Sequence, residues 1–252
     1  VYAPDNFHLS QAIINTAGWD TDCNAANVGA VMGVKVGLAG INRSYEFQAP
    51  FADRILLPTA EGTRGVTDAL VEALHIARIG RRIMGWAPVA APKKNAWHHF
   101  SLPGACHGYM SEDAAYESRG AATAANVSGH SVLGERSLRI AYQDLSAGKV
   151  ARVSTPLLPP PTKGGYSLTA VPRLYSGMTV EAMATTGAIQ GPAQARLFLR
   201  HYEAATRKPT AMAYGPAAAL KPGKKLSLRL DVPETDGWPA QDFGIVTPLD
   251  LV

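Results

Sequence analysis

Leu220-Lys221-Pro222-Gly223-Lys224-Lys225-Leu226-Ser227-Leu228-Arg229-Leu230-Asp231-Val232 is the stretch that decides the fold of most of this chain. A Pro-Gly turn feeds a run in which Leu226, Leu228, Leu230 and Val232 alternate with polar residues. Successive side chains of a strand point to opposite faces, so this period of two predicts a strand half buried against a core. The same grammar recurs upstream. Leu174-Tyr175-Ser176-Gly177 precedes Val180, and alternation marks Leu138, Ile140 and Tyr142, then Tyr166, Leu168 and Ala170. Many short strands from Trp97 onward, punctuated by Pro and Gly, predict a β-sandwich or jelly roll. Pro159-Pro160-Pro161 with Lys163-Gly164-Gly165 reads as a loop within it, and Leu249-Asp250-Leu251-Val252 as part of a further strand.

Before residue 90 the texture differs. Ser10 to Thr16 reads as the end of a helix that Gly18 breaks, and a second helix begins near Cys23 with Gly29, Gly33 and Gly37 four residues apart. Glycines at that spacing share a helix face and admit another backbone, at a cost in helix propensity. A third helix is predicted from Thr67 to Met84. Thr67 caps it, Asp68 and Glu72 favour its positive end, Arg78, Arg81 and Arg82 its negative end, and Leu70, Leu74 and Ala77 form its buried stripe. Residues 42–65 read as loop with room for one short element, and 86–95, with Pro88 and Pro92, as a linker.

The 252 residues carry a formal charge of +4 with basic residues scattered in pairs, which suits an anionic small molecule and not a nucleic-acid face. Cys23 and Cys106 fall in different predicted domains, so no disulfide is expected. No signal peptide is visible at Val1-Tyr2-Ala3-Pro4, which favours a cytoplasmic setting, and the chain reads as starting inside a longer polypeptide. Asn27 and Lys35 interrupt the apolar stretch 25–41, so no membrane span is expected.

Asp20-Thr21-Asp22-Cys23-Asn24 sets hard oxygen ligands beside a helix N-terminus, a place where a Mg²⁺ site can assemble. The plainer alternative on spacing alone is that Asp22 caps the helix while Asp20 is solvated, because an acidic group there offsets unpaired amides and the helix dipole.

The run from Gly18 to Gly33, Gly-Trp-Asp-Thr-Asp-Cys-Asn-Ala-Ala-Asn-Val-Gly-Ala-Val-Met-Gly, resembles the signature near the end of the ADP-ribosylglycohydrolase catalytic domain, usually Gly-Gly-Asp-Thr-Asp-Thr before a small-residue helix. The resemblance implies an α+β chain of two domains: the C-terminal portion of an all-α domain over 1–85, a linker over 86–95, and an all-β sandwich over 96–252. It implies Asp20 and Asp22 as catalytic metal-holding carboxylates and Asp20, Asp22 and Cys23 as metal ligands, with two Mg²⁺ ions in the complete site. Cys23 stands where the family has threonine, and its softer sulfur leaves a place to water or favours Mn²⁺. Trp19 replaces the second glycine. The family's early Glu and Thr-Asp-Asp-Thr motifs are absent, so a missing N-terminal segment or a companion chain would have to supply them. The implied activity is glycosyl hydrolysis of an ADP-ribosyl or other ribosyl bond through an oxocarbenium-like transition state, with metal-oriented water as nucleophile.

The segments at Trp97-His98-His99-Phe100, Gly134-Glu135-Arg136-Ser137-Leu138 and Ala151-Arg152-Val153-Ser154-Thr155 resemble jelly-roll modules appended to some bacterial members of that family, which are similar to carbohydrate-binding domains. This keeps open a glycosidase or nucleoside hydrolase, and also a non-catalytic glycan-binding protein. Trp97, Tyr109, Tyr175 and Trp238 are candidates for a sugar platform, with core packing as the alternative. His98 and His99, adjacent on an expected strand, point to opposite faces and are read as structural. No Ser/His/Asp order, phosphate-binding loop or zinc-spaced Cys/His set occurs.

Overall fold

The computed structural model describes residues 2–45, 47, 54–56, 66–146, 148–158 and 173–248. The expected strand over 166–170, the loop at 159–165 and the final tetrapeptide lie outside the described residues. The chain divides into two compact units, Val1–Phe51 and Ala52–Val252.

The smaller unit pairs helix α1 (Phe7–Asn15) with helix α2 (Thr21–Ile41). Asn6 caps α1, its Oδ1 accepting the Leu9 amide at 2.9 Å, and Thr16 closes it by donating its hydroxyl to the Ala12 carbonyl at 2.8 Å. The glycine stripe serves two ends. A Cβ on Gly29 would approach Gln11 of α1 to 3.2 Å, so that glycine admits the neighbouring helix. Gly37, at φ 66° and ψ −180°, instead interrupts the helical geometry of α2. By length and composition alone α2 is apolar enough to cross a membrane. Among its residues only Met32 is buried, and Val34 is 91 % exposed.

The all-α domain expected over 1–85 is corrected by this arrangement. Three α-helices and one short 3-10 turn occur among the described residues and the remaining regular structure is strand, so the described chain is mostly β. A helical domain needs helices that bury one another's apolar faces. Here α1 and α2 bury Ser10 and Met32, and the third helix lies in the unit that contains the strands.

In the larger unit, strand β1 (Ile55–Leu56) pairs with β2 (Val66–Thr67), which leads into helix α3 (Ala69–Ile83). The cap is Asp68, one residue later than the sequence suggests. Its Oδ1 accepts the Val71 amide at 2.9 Å, while Thr67, held in β2, donates its hydroxyl to Glu72 at 2.8 Å. Leu70 and Leu74 are half-buried and Ala77 is exposed, so the predicted stripe is shallow. A 3-10 turn at Pro92–Asn95 occupies the expected linker.

The strands that follow are β3 (Met110–Ser111), β4 (Ala122–Ser128), β5 (Arg136–Tyr142), β6 (Val150–Pro156), β7 (Thr179–Thr185), β8 (Gln194–His201), β9 (Ala211–Tyr214), β10 (Ala218–Ala219), β11 (Lys225–Asp231) and β12 (Ala240–Pro248). One sheet runs β10-β8-β12-β6-β3, with β9 sharing the free edge of β8; β11 pairs β7, and β4 pairs β5. Every pairing is antiparallel. Ala195, Leu197 and Leu199 of β8, Val153 of β6 and Phe243 of β12 pack with Leu228 and Leu230 of β11 and Ala122 of β4 in one core, a sandwich of two layers. The run 220–232 therefore does what its alternation predicts. Leu228 and Leu230 are each 2 % exposed, and burying such a side chain contributes roughly 1.5–3 kcal/mol. Between β9 and β10 a Cβ on Gly215 would sit 1.9 Å from the Arg229 carbonyl oxygen, so only glycine lets that edge pass β11.

Candidate functional site

Polar side chains gather in three clusters, and their chemistry separates them. The first is the N-terminal trio. Asp20, Asp22 and Cys23 each offer a ligand atom within 4.8 Å of the others, and all three are exposed. Asp20 holds the N-cap position in left-handed geometry, φ 45°, and makes no side-chain cap hydrogen bond, while Asp22 lies in the first turn. Asp20 is thus gathered beside Asp22 without capping the helix, while Asp22 in the first turn favours the helix dipole. Trp19, 85 % exposed, stands beside them without packing.

The second cluster is buried in the larger unit. The segment carrying His98 and His99 is irregular instead of extended, with Phe100 at φ 53°, and both rings turn inward. Asp68 Oδ2 lies 3.2 Å from His99 Nε2 and 4.0 Å from His107 Nδ1. The far nitrogens fix the tautomers. The Ser101 amide donates to His99 Nδ1 at 3.0 Å, and the Phe100 amide donates to His107 Nε2 at 3.1 Å. Each ring is therefore a neutral imidazole whose one proton faces Asp68.

That pattern opposes a metal between them. A ligating histidine presents a lone pair to the ion and donates its other N–H outward; here the outward nitrogens are acceptors and the protons point at the carboxylate. Burial alone would raise the Asp68 carboxyl, but hydrogen bonds from His99 and the Val71 amide hold it below the ordinary range. Burial pushes His107 down to about 4. His98, whose Nδ1 lies 3.1 Å from the Tyr109 hydroxyl, is pushed far down by burial and by His107. The adjoining cavity, bounded by Trp97, His98, Arg54 and Arg173, holds about 10 Å³, the room of one water. This cluster is a hydrogen-bonded polar core.

The third cluster covers the sheet face that points away from the core, and register places it. Tyr214, Phe198, Gly244, Ser154 and Met110 form one row across β9, β8, β12, β6 and β3. Arg196, Val246 and Arg152 form the row on one side, and Met212, Arg200, Asp242 and Pro156 the row on the other. Gly244 admits the close passage of β6, since a Cβ there would sit 2.0 Å from the Val153 carbonyl oxygen.

The polar groups of this face interlock. Arg200 donates to Asp242 at 2.9 Å and to Glu112 at 2.7 Å. Arg152 lies 3.6 Å from the same Glu112 oxygen and 3.5 Å from Glu117. Both guanidiniums sit 5.9 Å from the Phe198 ring centroid, which explains how an aromatic on the outward face is fully buried. Asp242 and Glu112 hold Arg200 firmly cationic. Burial pushes the Asp242 carboxyl up to about 6 against the pull of Arg200. Glu112 Oε1, Asp242 Oδ1, Arg152 Nε and Arg196 Nε have no partner among the described residues. Tyr214 and Met110, 40 % and 62 % exposed, stand at the ends of the middle row.

Of the aromatics singled out from sequence, Tyr109 belongs to the core, Trp97 lies under Arg173 at 4.5 Å, and Tyr175 is half exposed on the turn before β7. Sequence reasoning missed Glu112, Arg152, Arg196, Arg200, Tyr214 and Asp242. The available signal was the run 195–200, Ala-Arg-Leu-Phe-Leu-Arg, which puts both arginines on the face opposite the leucines.

No family model and no curated protein matches the chain. Among solved structures it is similar to the N-terminal CBM22-1-CBM22-2 tandem domain of Paenibacillus barcinonensis Xyn10C, at 16 % identity over 58 % of this chain and 40 % of that one, TM-score 0.39. It is also similar to the CBM22-2 xylan-binding domain of the same protein, at 18 % identity over 58 % of this chain and 80 % of that one, TM-score 0.38. A third is the CBM22-1-GH10 portion of Clostridium thermocellum endo-1,4-beta-D-xylanase 10B complexed with xylohexaose, at 11 % identity over 60 % of this chain and 25 % of that one, TM-score 0.39. The chain thus spans 40 % of the first of these. The expected membership of the ADP-ribosylglycohydrolase family, and with it the expected glycosyl hydrolase activity, is corrected: no family model matches, and the described residues hold three α-helices and mostly strands where the resemblance implies an all-α domain.

Proposed function

We propose that the β-sandwich is a non-catalytic glycan-binding module whose ligand face is the outward side of the six-stranded sheet. The observation that carries this is the interlocked layer of Arg152, Glu112, Arg200 and Asp242 across the middle row, ending at Tyr214. A sugar presents adjacent hydroxyls that both donate and accept, together with flat C–H faces. Planar guanidinium and carboxylate groups match the hydroxyls in pairs, and an exposed phenol ring takes a C–H face. The row crosses five strands spaced about 4.8 Å apart, a span of roughly 19 Å that suits a short linear oligosaccharide. Holding the polar groups in mutual ion pairs lowers the ordering cost of binding.

Calorimetric titration with xylohexaose and a panel of other linear oligosaccharides tests the reading. Binding that falls at least ten-fold in Arg200→Ala and in Tyr214→Ala is the expected result. Absence of binding to every glycan, or binding indifferent to both substitutions, refutes it.

For the smaller unit we propose that Asp20, Asp22 and Cys23 bind a divalent cation. The support is the gathering of three donor atoms within 4.8 Å, with the Asp20 carboxylate making no cap hydrogen bond to the helix. Two carboxylates suit Mg²⁺ and Mn²⁺, and the thiol shifts preference toward Mn²⁺. Paramagnetic broadening of signals from these residues by Mn²⁺, lost in Asp22→Asn, is expected; equal broadening in the variant refutes it.

A further inference from the structure

Among the described residues, every guanidinium placed on the ligand face but one is committed to carboxylates. Arg200 is held by Asp242 and Glu112, and Arg152 by Glu112 and Glu117. Arg196 has no carboxylate partner among the described residues. Its Cζ lies 3.9 Å from the Tyr214 ring centroid, stacked on the same aromatic that ends the middle row. Its Nε is buried and without a partner, while the residue as a whole remains part exposed. Across the sheet its neighbour is Val246, which offers no charge. An unpaired cation fixed on an aromatic face, beside groups already balanced among themselves, is a recognition element waiting for an anion.

We propose, resting on the glycan-binding reading above, that the face selects glycans carrying a carboxylate, with Arg196 as the residue that reads it. The guanidinium fork matches a carboxylate with two parallel hydrogen bonds. Stacking on Tyr214 fixes its plane, so little side-chain entropy is lost when a uronic acid docks. Tyr214 then serves two neighbours at once, a sugar ring and the cation beside it. The chain's positive balance, +4 overall, favours approach of such a ligand.

The experiment compares three probes on the intact chain by calorimetry: a xylo-oligosaccharide with one glucuronic acid branch, the same compound with that carboxyl reduced to an alcohol, and the unbranched oligosaccharide. The acidic probe is expected to bind about ten-fold more tightly than its reduced form, the scale of one charge-assisted contact at a part-exposed site. That ratio is expected to shrink with added salt, and to fall to near one in Arg196→Gln. Arg196→Lys, which keeps the charge and loses the fork, is expected to retain only part of it. Equal binding of the three probes by the wild-type chain overturns the carboxylate preference while leaving the glycan reading standing. A ten-fold ratio that persists in Arg196→Gln overturns the role of Arg196. Failure to bind any of the three overturns both the reading and the inference.

Discussion

The buried cluster around Asp68 makes the larger unit sensitive to acid in a way that can be isolated at one residue. In the folded state His107 is 3 % exposed, accepts the Phe100 amide and points its only proton toward Asp68. It stays neutral down to about pH 4, against 6.5 for an unhindered histidine. The unfolded chain therefore binds a proton that the folded chain refuses, and stability falls as pH drops from 6.5 toward 4. The full difference is worth about 3 kcal/mol. At pH 5, still above the folded value, roughly 2 kcal/mol of it is already lost.

Two other groups titrate nearby. His98, also driven down by burial, acts in the same direction. Asp242, raised to about 6, acts in the opposite one, because the folded chain takes up its proton before the unfolded chain does. The raw pH dependence of the wild type is thus a mixture, and His107→Gln removes one component. The Gln carbonyl can still accept the Phe100 amide, so the variant is expected to fold. Urea unfolding followed by tryptophan fluorescence at pH 7 and pH 5 gives four free energies. The loss between the two pH values should be about 2 kcal/mol smaller in the variant. An equal loss in both chains would show that His107 is not held neutral in the folded state, and the hydrogen-bond assignment of the cluster would fall with it.

The raised carboxyl of Asp242 also bears on binding. Lowering pH from 7 to 5 protonates it through about 6 and removes one anchor of Arg200, so glycan affinity is expected to fall over that window in the wild type and to stay flat in Asp242→Asn, measured by titration at each pH. Gly215→Ala places a methyl 1.9 Å from the Arg229 oxygen and forces the β9–β10 edge away from β11; thermal unfolding should report a loss of about 1–3 kcal/mol. Leu230→Ala, at a site 2 % exposed between the two layers, should cost about 2–5 kcal/mol in the same assay.

How far the sequence could be read follows from the range of the interactions involved. The alternation at Leu226, Leu228, Leu230 and Val232 is a local pattern, and it survives because burial of one strand face depends only on neighbours two residues apart. The motif at Asp20 and Asp22 is local too. It correctly announced a helix end, but a helix end does not specify the domain around it, and the all-α inference needed buried faces that α1 and α2 do not supply. His98 and His99 read as strand neighbours because nothing near them reveals that Asp68, 31 residues before His99, will draw that ring inward. The ligand face is the extreme case. Glu112 and Arg200 meet across 88 residues of chain, and Arg200 and Asp242 across 42. Alternation in β8 could reveal that Arg196 and Arg200 share a face, yet which of them would find a carboxylate depends on the register of β12 and on the reach of β3. That register separates the paired arginine from the free one, and so separates a residue that maintains the face from one that is available to read a ligand.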